Sequence, residues 1–217
     1  MTVTTAMPAR GLYAITTARS GVPLVDHVAD VIDGGARVVQ YRDKSRDAAH
    51  RRREASALLS VCRKAGVPLI INDDVELAAT MGADGVHLGR GDPDPAAARK
   101  HLGNHAIIGV SCYNQLARAH QALAVGASYV AFGSFFASPT KPQAVRADIE
   151  LLKQARRELA CPIVAIGGIT PANGGALIAA GADFLAVIGG LAGDLPPAQA
   201  AGQYAALFTQ HQEEHTP

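Results

Sequence analysis

Cationic side chains recur with a spacing of two at the end of one apolar run of the sequence. Gln40, Arg42 and Lys44 stand at and just beyond the end of RVVQYRD, and on an extended strand side chains two apart point the same way. Arginine presents a planar fork to phosphate oxygens, and lysine presents a compact charge. The spacing therefore indicates an anionic ligand, and the alternative is a pair of surface cations beyond the strand.

Two aspartates follow the next two apolar runs. Asp73 comes directly after LIIN, whose last residue is Asn72, and Asp92 follows GVHLG. Mg2+ typically takes one or two carboxylates and completes its shell with water and substrate phosphates. The pair therefore predicts a magnesium site. Two alternatives stay open, because Asp73 or Asp74 could cap the following helix and Asp92 could be a turn residue before proline.

A second group of polar and flexible residues lies in the other half of the chain. Ser138, Thr140 and Lys141 occur together in FGSFFASPTK, and the later runs end in AIGG and AVIGG at Gly168 and Gly189. Hydroxyls, backbone amides and an ammonium group can form a phosphate cradle, which glycine lets a ligand approach closely. We expect a monophosphate here; an ordinary polar loop and two tight glycine turns are the alternatives.

The chain shows no obvious set of residues for covalent catalysis. Ser111 ends the fifth apolar run, but nothing near its neighbour Cys112 marks that thiol as activated. We interpret His87, inside an apolar run, as a core histidine. Metal ligands with several cations suit a diphosphate, so the residues indicate departure of a metal-bound pyrophosphate by positioning and electrostatics.

The elements that must position these residues form a regular alternation. Segments with apolar residues every three or four positions separate eight short apolar runs, several of them continuously apolar as in covered parallel strands. The runs are 11–17, 37–43, 68–73, 85–89, 106–111, 129–134, 162–168 and 184–189. The pattern predicts an α/β protein with one (β/α)8 TIM barrel and functional groups at the carboxyl ends of its strands.

A doubly wound open sheet is the structural alternative, but the first turn, TTARSGVP, has no G-x-G-x-x-G. We expect one domain over residues 1–217, with short flexible tails at about 1–9 and 210–217.

Composition restricts the class of partner and the compartment. The net charge is +1, there is no tryptophan and 5% of residues are aromatic, which disfavours a nucleic-acid partner. No apolar stretch reaches membrane-spanning length, and the first ten residues lack the apolar core of a signal peptide. The three cysteines are far apart, as in a reducing compartment. We expect a cytoplasmic protein with small-molecule partners and no membrane partner; the oligomeric state stays open, a homodimer included.

Taken together, these motifs resemble those of the thiamine phosphate synthase family. The matching stretches, between Gly11 and Leu191, are QYRDK, NDDVELA, GADGVHLG-R-GD, GVS, ASPTK, AIGGI and AVIGGL. The resemblance implies a TIM-barrel transferase that uses Mg2+. It would join hydroxymethylpyrimidine diphosphate to hydroxyethylthiazole phosphate, giving thiamine phosphate and pyrophosphate. A thiazole tautomerase and a non-catalytic regulator that binds a phosphate ligand are the alternatives on the same barrel.

The resemblance also implies roles for individual residues. The pyrimidine diphosphate would contact Gln40, Tyr41, Arg42, Asp43, Lys44, Asn72, Ser111 and Lys141. The thiazole phosphate would contact Ser138, Pro139, Thr140, Gly168, Ile188 and Gly189. Asp73 and Asp92 would hold Mg2+, while Arg42, Lys44 and Lys141 would be catalytic by neutralising the leaving pyrophosphate. Arg90 stands where the family usually has glutamine, and it would either add a cation to the site or face water.

Overall fold

Eight parallel strands close into a barrel in the order in which they occur along the chain. The computed structural model describes residues 7–17, 22–137 and 145–213. The strands are β1 (Gly11–Ile15), β2 (Ala36–Tyr41), β3 (Leu69–Asn72), β4 (Gly85–Leu88), β5 (Ile107–Tyr113), β6 (Tyr129–Gly133), β7 (Ile163–Ile166) and β8 (Phe184–Val187). Because β8 pairs with β1, the sheet is closed. The predicted barrel is confirmed, and the open-sheet alternative is wrong.

Helices connect successive strands around the outside of the barrel. They are α1 (Leu24–Asp33), α2 (Ala48–Ala65), α3 (Val75–Met81), α4 (Pro95–Leu102), α5 (Leu116–Ala124), α6 (Ile149–Glu158), α7 (Pro171–Ala179) and α8 (Pro197–Glu213), with a 3-10 turn at Gly189–Leu191. Helix α8 covers residues 210–213 of the predicted carboxyl-terminal tail, while 1–6 and 214–217 lie outside the described residues. Within the described ranges, no helix is long and apolar enough to cross a membrane.

Local signals in the sequence account for where several helices begin and end. The side chain of Asp47 accepts a hydrogen bond from the backbone amide of His50 at the start of α2, and Asp148 caps α6 in the same way. Asp74 caps α3 by accepting from the amide of Leu77 at 2.8 Å. The cap of α3 is therefore Asp74, and Asp73 has another role.

The apolar residues form two layers, one on each face of the barrel wall. The outer layer lies between the strands and the helices, and the inner layer fills the barrel. The inner layer consists of Tyr13, Ile15, Val38, Ile70, Ile107, Tyr129, Ala131, Val164, Phe184 and Ala186. Successive side chains of a strand point to opposite faces, so a strand can contribute to both layers. Strand β4 contributes only to the outer layer, through Val86 and Leu88.

One glycine allows two neighbouring strands to approach closely, and its replacement should destabilise the barrel. A Cβ at Gly85 would collide with the backbone carbonyl of Ile107, its partner on β5. Because a paired backbone cannot rotate away, we expect Gly85→Ala to lower the free energy of unfolding by about 1–3 kcal/mol. Urea unfolding followed by circular dichroism measures this change.

Gly175, on the exposed face of α7, is the matched control. A Cβ there would meet no atom within 4 Å, and alanine favours the helix over glycine by roughly 0.5–1 kcal/mol. Equal unfolding free energies for Gly85→Ala and Gly175→Ala would contradict the close approach of β4 and β5.

Candidate functional site

A cavity of about 340 Å³ opens inside the barrel at the carboxyl ends of the strands. Five residues that the sequence predicted for the site line this cavity together: Gln40, Arg42, Asn72, Ser111 and Ile188. The same cavity has apolar walls that include Ile15, Val164, Ile166 and Ile188. Polar groups at fixed points in an apolar cleft are typical of a site for a small organic ligand.

Strand β2 divides the QYRDK motif between the two faces of the barrel wall. Gln40 and Arg42 line the cavity, whereas the Tyr41 side chain belongs to the outer layer. The Tyr41 hydroxyl donates to Glu54 Oε2 of α2 at 2.9 Å. The Tyr41 side chain therefore faces away from this cavity, because side chains alternate along a strand, and the contact of Tyr41 with substrate stays a prediction.

Asp43 also lies away from the barrel cavity. It lines a second, outer cavity of about 630 Å³, and its carboxylate accepts hydrogen bonds from the amide and hydroxyl of Ser45 at 2.8 and 2.6 Å. Burial favours a higher pKa for Asp43, but these hydrogen bonds lower the pKa below its usual value. These hydrogen bonds hold Asp43 in the turn after β2, on the outer cavity that Lys44 and Asp73 also line. Its contact with substrate stays a prediction.

The two aspartates predicted to bind metal meet beside Asn72, which lines both cavities. Lys44 Nζ donates to Asp73 Oδ2 at 2.6 Å, and Asp73 and Asp92 lie within hydrogen-bonding distance of each other. Strand β4 ends at Leu88, four residues before Asp92. A turn returns Asp92 to the strand end, where its carboxylate accepts from the Gly89 amide at 2.5 Å.

Charge distinguishes these two carboxyl groups. Burial raises the pKa of both, but the Lys44 ammonium lowers the pKa of Asp73 below its usual value. For Asp92, burial and the nearby Asp73 charge outweigh the Gly89 amide, and its pKa is raised. Two adjacent carboxylates repel when both are ionised, and a bound cation relieves that repulsion. The oxygen donors present fit Mg2+, which prefers such hard ligands.

A histidine that we interpreted as a core residue also belongs to the cavity. His87 lines it, with Nε2 2.9 Å from Ser111 Oγ and Nδ1 2.9 Å from the Tyr129 hydroxyl. Both ring nitrogens are therefore engaged, as the interpretation requires, but the ring is part of the cavity lining. The period of two could have identified it, because its neighbours Val86 and Leu88 belong to the outer layer.

Arg90 adds a cation to the mouth of the cavity. It lines the cavity, and its guanidinium carbon lies 5.0 Å from the centroid of the Tyr113 ring. Arg118 lies 5.9 Å from the same centroid, so the ring contacts two cations. We expected Arg90 either to add a cation to the site or to face water, and the geometry favours the first of these. Sequence reasoning missed Tyr113, which holds this arginine in place.

The residues expected around a second phosphate are only partly described. Ile188 lines the cavity, and the space where a Gly189 side chain would lie is open. Gly168 has a φ of 65°, and a side chain there would collide with the carbonyl of Ala137. The loops after β6 and β7 therefore touch. Ser138, Pro139, Thr140 and Lys141 lie outside the described residues.

Removal of the Lys44 ammonium should raise the pKa of Asp73. Lys44→Met deletes both the hydrogen bond and the positive charge that lower this pKa. A depressed pKa contributes stability that is full above the usual aspartate value and is lost as the pH falls through the folded-state value. We therefore expect Lys44→Met to lose part of the stability that wild type retains near neutral pH. Carboxyl ¹³C NMR titration measures the pKa directly.

Lys153→Met is the control, because Lys153 pairs with Glu150 on α6 at 2.8 Å. It should leave the titration of Asp73 unchanged. An Asp73 titration that does not move in Lys44→Met would contradict the ion pair.

Comparison with known proteins agrees with this architecture. A family model described as thiamine monophosphate synthase matches residues 12–191. The chain is 53% identical over 200 residues to the thiamine-phosphate synthase of Azoarcus sp. (strain BH72), covering 92% of this chain and 97% of that one. Identity to the Thiobacillus denitrificans thiamine-phosphate synthase is 50% over 205 residues, covering 94% and 97%.

A solved structure of thiamine phosphate pyrophosphorylase from Pyrococcus furiosus has the same fold. It superposes with a TM-score of 0.85 at 29% identity, covering 93% of this chain and 96% of that one. The match to the family model spans most of the 217 residues. The chain therefore belongs to the thiamine monophosphate synthase family.

Proposed function

We propose that this chain is a thiamine-phosphate synthase, a transferase of thiamine biosynthesis. It joins hydroxymethylpyrimidine diphosphate to hydroxyethylthiazole phosphate and releases pyrophosphate. Relatives with that name, about half identical over nearly the whole chain, support the activity. The observation that carries the proposal is the contact of Lys44, Asp73 and Asp92 beside Asn72. Asn72 lines the outer cavity together with Lys44 and Asp73, and it also lines the barrel cavity that holds Arg42.

The polar rim suits the diphosphate end of such a substrate. Asp73 and Asp92 would hold Mg2+, which when bound would neutralise charge on the leaving pyrophosphate. Arg42 and Arg90 present guanidinium groups at the same cavity, and arginine binds phosphate oxygens through paired donors. Lys44 contributes a further charge beside Asp73, on the adjoining outer cavity, and we assign Lys141 the same role. A thiazole tautomerase would have no use for this combination.

The interior of the cavity suits a small aromatic ring. Gln40 and Ser111 offer hydrogen bonds, and Ile15 and Ile166 are among the apolar residues that line the space around them. As the resemblance implies, the carbon–oxygen bond of the diphosphate breaks early, and the ring amino group stabilises the pyrimidine cation. The thiazole nitrogen then captures that cation. The protein positions both partners and excludes water, and it supplies no nucleophile.

The buried thiol of Cys112 is consistent with a reaction in which the protein supplies no nucleophile. Burial raises the pKa of Cys112 to about 12, and its sulfur donates to the Val110 carbonyl at 3.5 Å. A thiol of that pKa is protonated at neutral pH and is a poor nucleophile. Cys112 is therefore a packing residue in the proposed reaction, as expected from the sequence.

The remaining parts of the proposal concern the second substrate and the setting. Gly168, Ile188 and Gly189 would adjoin the thiazole phosphate, together with Ser138, Pro139 and Thr140. The cysteines are all free thiols, which supports the proposed reducing, cytoplasmic location. We also propose that the chain forms a single domain and that its partners are small molecules.

The direct test is the complete reaction with purified protein. With both substrates and Mg2+, we expect equal amounts of thiamine phosphate and pyrophosphate, measured by chromatography and a coupled pyrophosphate assay. Chelation by EDTA should abolish product formation, and added Mg2+ should restore it. Absence of thiamine phosphate under all conditions would contradict the proposed activity, and full activity in EDTA would contradict the metal role alone.

Neutralising one proposed metal ligand should impair turnover far more than it impairs folding. We expect Asp73→Asn to lower kcat by roughly two orders of magnitude, as loss of electrostatic stabilisation can do. Steady-state kinetics at saturating Mg2+ measures the effect.

Asp74→Asn is the matched control, one residue away. Asparagine can still cap α3, so this variant loses only the ion pair between Asp74 and Arg51, at 2.8 Å. Similar kcat values for Asp73→Asn and wild type would refute the assignment of Asp73 to the metal.

A further inference from the structure

Five polar side chains form a continuous hydrogen-bonded chain across the barrel interior, which we call the relay. Gln40 Nε2 donates to the Tyr13 hydroxyl at 2.9 Å, and the Tyr13 and Tyr129 hydroxyls lie 2.7 Å apart. The Tyr129 hydroxyl meets His87 Nδ1 at 2.9 Å, and His87 Nε2 meets Ser111 Oγ at 2.9 Å. The relay begins and ends at residues that line the cavity, Gln40 and Ser111.

The two tyrosines in the middle of the relay are more than packing residues. Tyr13 and Tyr129 are 1% and 0% exposed, and a buried hydroxyl without a partner costs free energy that phenylalanine would avoid. Gly109 on the neighbouring strand β5 leaves space for the Tyr129 ring, because a Cβ at Gly109 would collide with the hydroxyl end of that ring. The packing of the barrel interior therefore accommodates these two buried hydroxyls, and we infer that their hydrogen bonds contribute to function.

The amide of Gln40 sets the direction of every hydrogen bond in the relay. An amide nitrogen only donates, so Tyr13 accepts from Gln40 and directs its own hydrogen to Tyr129, the acceptor it meets among the described residues. Tyr129 then donates to His87 Nδ1. The hydrogen of the neutral imidazole is consequently on Nε2, where it is donated to Ser111.

We propose that Tyr13 and Tyr129 are positioning residues, which hold His87 in its Nε2–H form so that Ser111 directs its hydroxyl hydrogen into the cavity. Ser111 accepts from His87 in this arrangement, so its own hydrogen is available to a ligand. The ligand group that it meets must be an acceptor, such as an unprotonated ring nitrogen of a heteroaromatic compound. Identifying that acceptor as the pyrimidine rests on the proposed function; the direction of the relay does not.

The opposite direction would select a different ligand. If Tyr129 accepted from His87 Nδ1, then Ser111 would donate to His87 and would present only lone pairs to the cavity. The cavity would then favour a ring N–H over a bare ring nitrogen. The protonated nitrogen of His87 therefore reports which of the two ligand types the site accepts.

NMR of the ligand-free protein labelled with ¹⁵N-histidine tests the direction of the relay. The His87 signals are assigned by their loss in His87→Asn, and spectra are recorded at about pH 8, where ordinary histidines are neutral. Long-range ¹H–¹⁵N correlations distinguish the two neutral forms. We expect Nε2–H in wild type, and Nδ1–H there would overturn the proposal.

Reversing the first hydrogen bond should reverse the last. Gln40→Glu replaces a donor with a carboxylate that accepts from Tyr13, so His87 should change to Nδ1–H. In the double variant Gln40→Glu/Tyr129→Phe the relay is cut, and His87 should match Tyr129→Phe alone. No change in Gln40→Glu, or the same change without the Tyr129 hydroxyl, would contradict transmission through the relay.

Two further variants control for folding and packing. Tyr204→Phe removes another buried hydroxyl, which donates to the Ile169 carbonyl at 3.3 Å, and it should leave His87 unchanged. If Gln40→Glu fails to fold, Tyr13→Phe deprives Tyr129 of its donor and should lower the fraction of Nε2–H. An unchanged fraction in Tyr13→Phe, or an equal effect of Tyr204→Phe, would count against the relay.

Kinetics separate the relay from a general effect on structure. Tyr129→Phe should raise KM for the pyrimidine diphosphate by roughly threefold to tenfold, the effect of weakening one hydrogen bond to a ligand, and leave KM for the thiazole phosphate unchanged. Equal increases in both KM values would contradict a positioning role. A protein without synthase activity that still shows the expected His87 forms would refute the proposed function and support the relay.

Discussion

Side chains that alternate across the wall of a closed barrel determine almost every feature of this site. Each strand sends one residue to the outer layer and the next to the interior, so a strand end can support a helix and line a cavity within three residues. Gln40 and Arg42 reach the cavity while Tyr41 binds Glu54 of α2. His87 reaches it between two outer-layer residues in the same way. Barrel closure then brings all these positions to one rim.

Electrostatics at that rim depend on an arrangement that is unfavourable without a cation. Asp73 and Asp92 lie close enough for the Asp73 charge to help raise the pKa of Asp92, whereas the hydrogen bond and charge of Lys44 lower the pKa of Asp73. The backbone contributes as well, since Asp73 adopts a φ of 65°, which non-glycine residues rarely do. A site that keeps two partly buried carboxyl groups together in this way retains repulsion that a divalent ion can relieve.

Much of the barrel and part of the site could be predicted from local pattern. Eight apolar runs identified the strands, and the strand ends identified Arg42, Asn72 and Ser111 because period and position are local properties. The relay could not be predicted, since Tyr13 and Tyr129 lie 116 residues apart and meet only when the barrel closes. Tyr41 and Asp43 do not line the barrel cavity for a different reason: a contiguous motif was interpreted as one surface, although a strand presents two.

The hydrogen bond between Tyr41 and Glu54 has a consequence for protein engineering. It ties the strand end that carries Arg42 to helix α2, so the position of the guanidinium depends on a helix that lines no part of the cavity. Grafting the QYRDK stretch onto another barrel would transfer the ligand-facing half of the motif without its external support. The smallest transplantable unit is therefore the strand together with its following helix, and the same pair is the natural unit for recombining barrels of this kind.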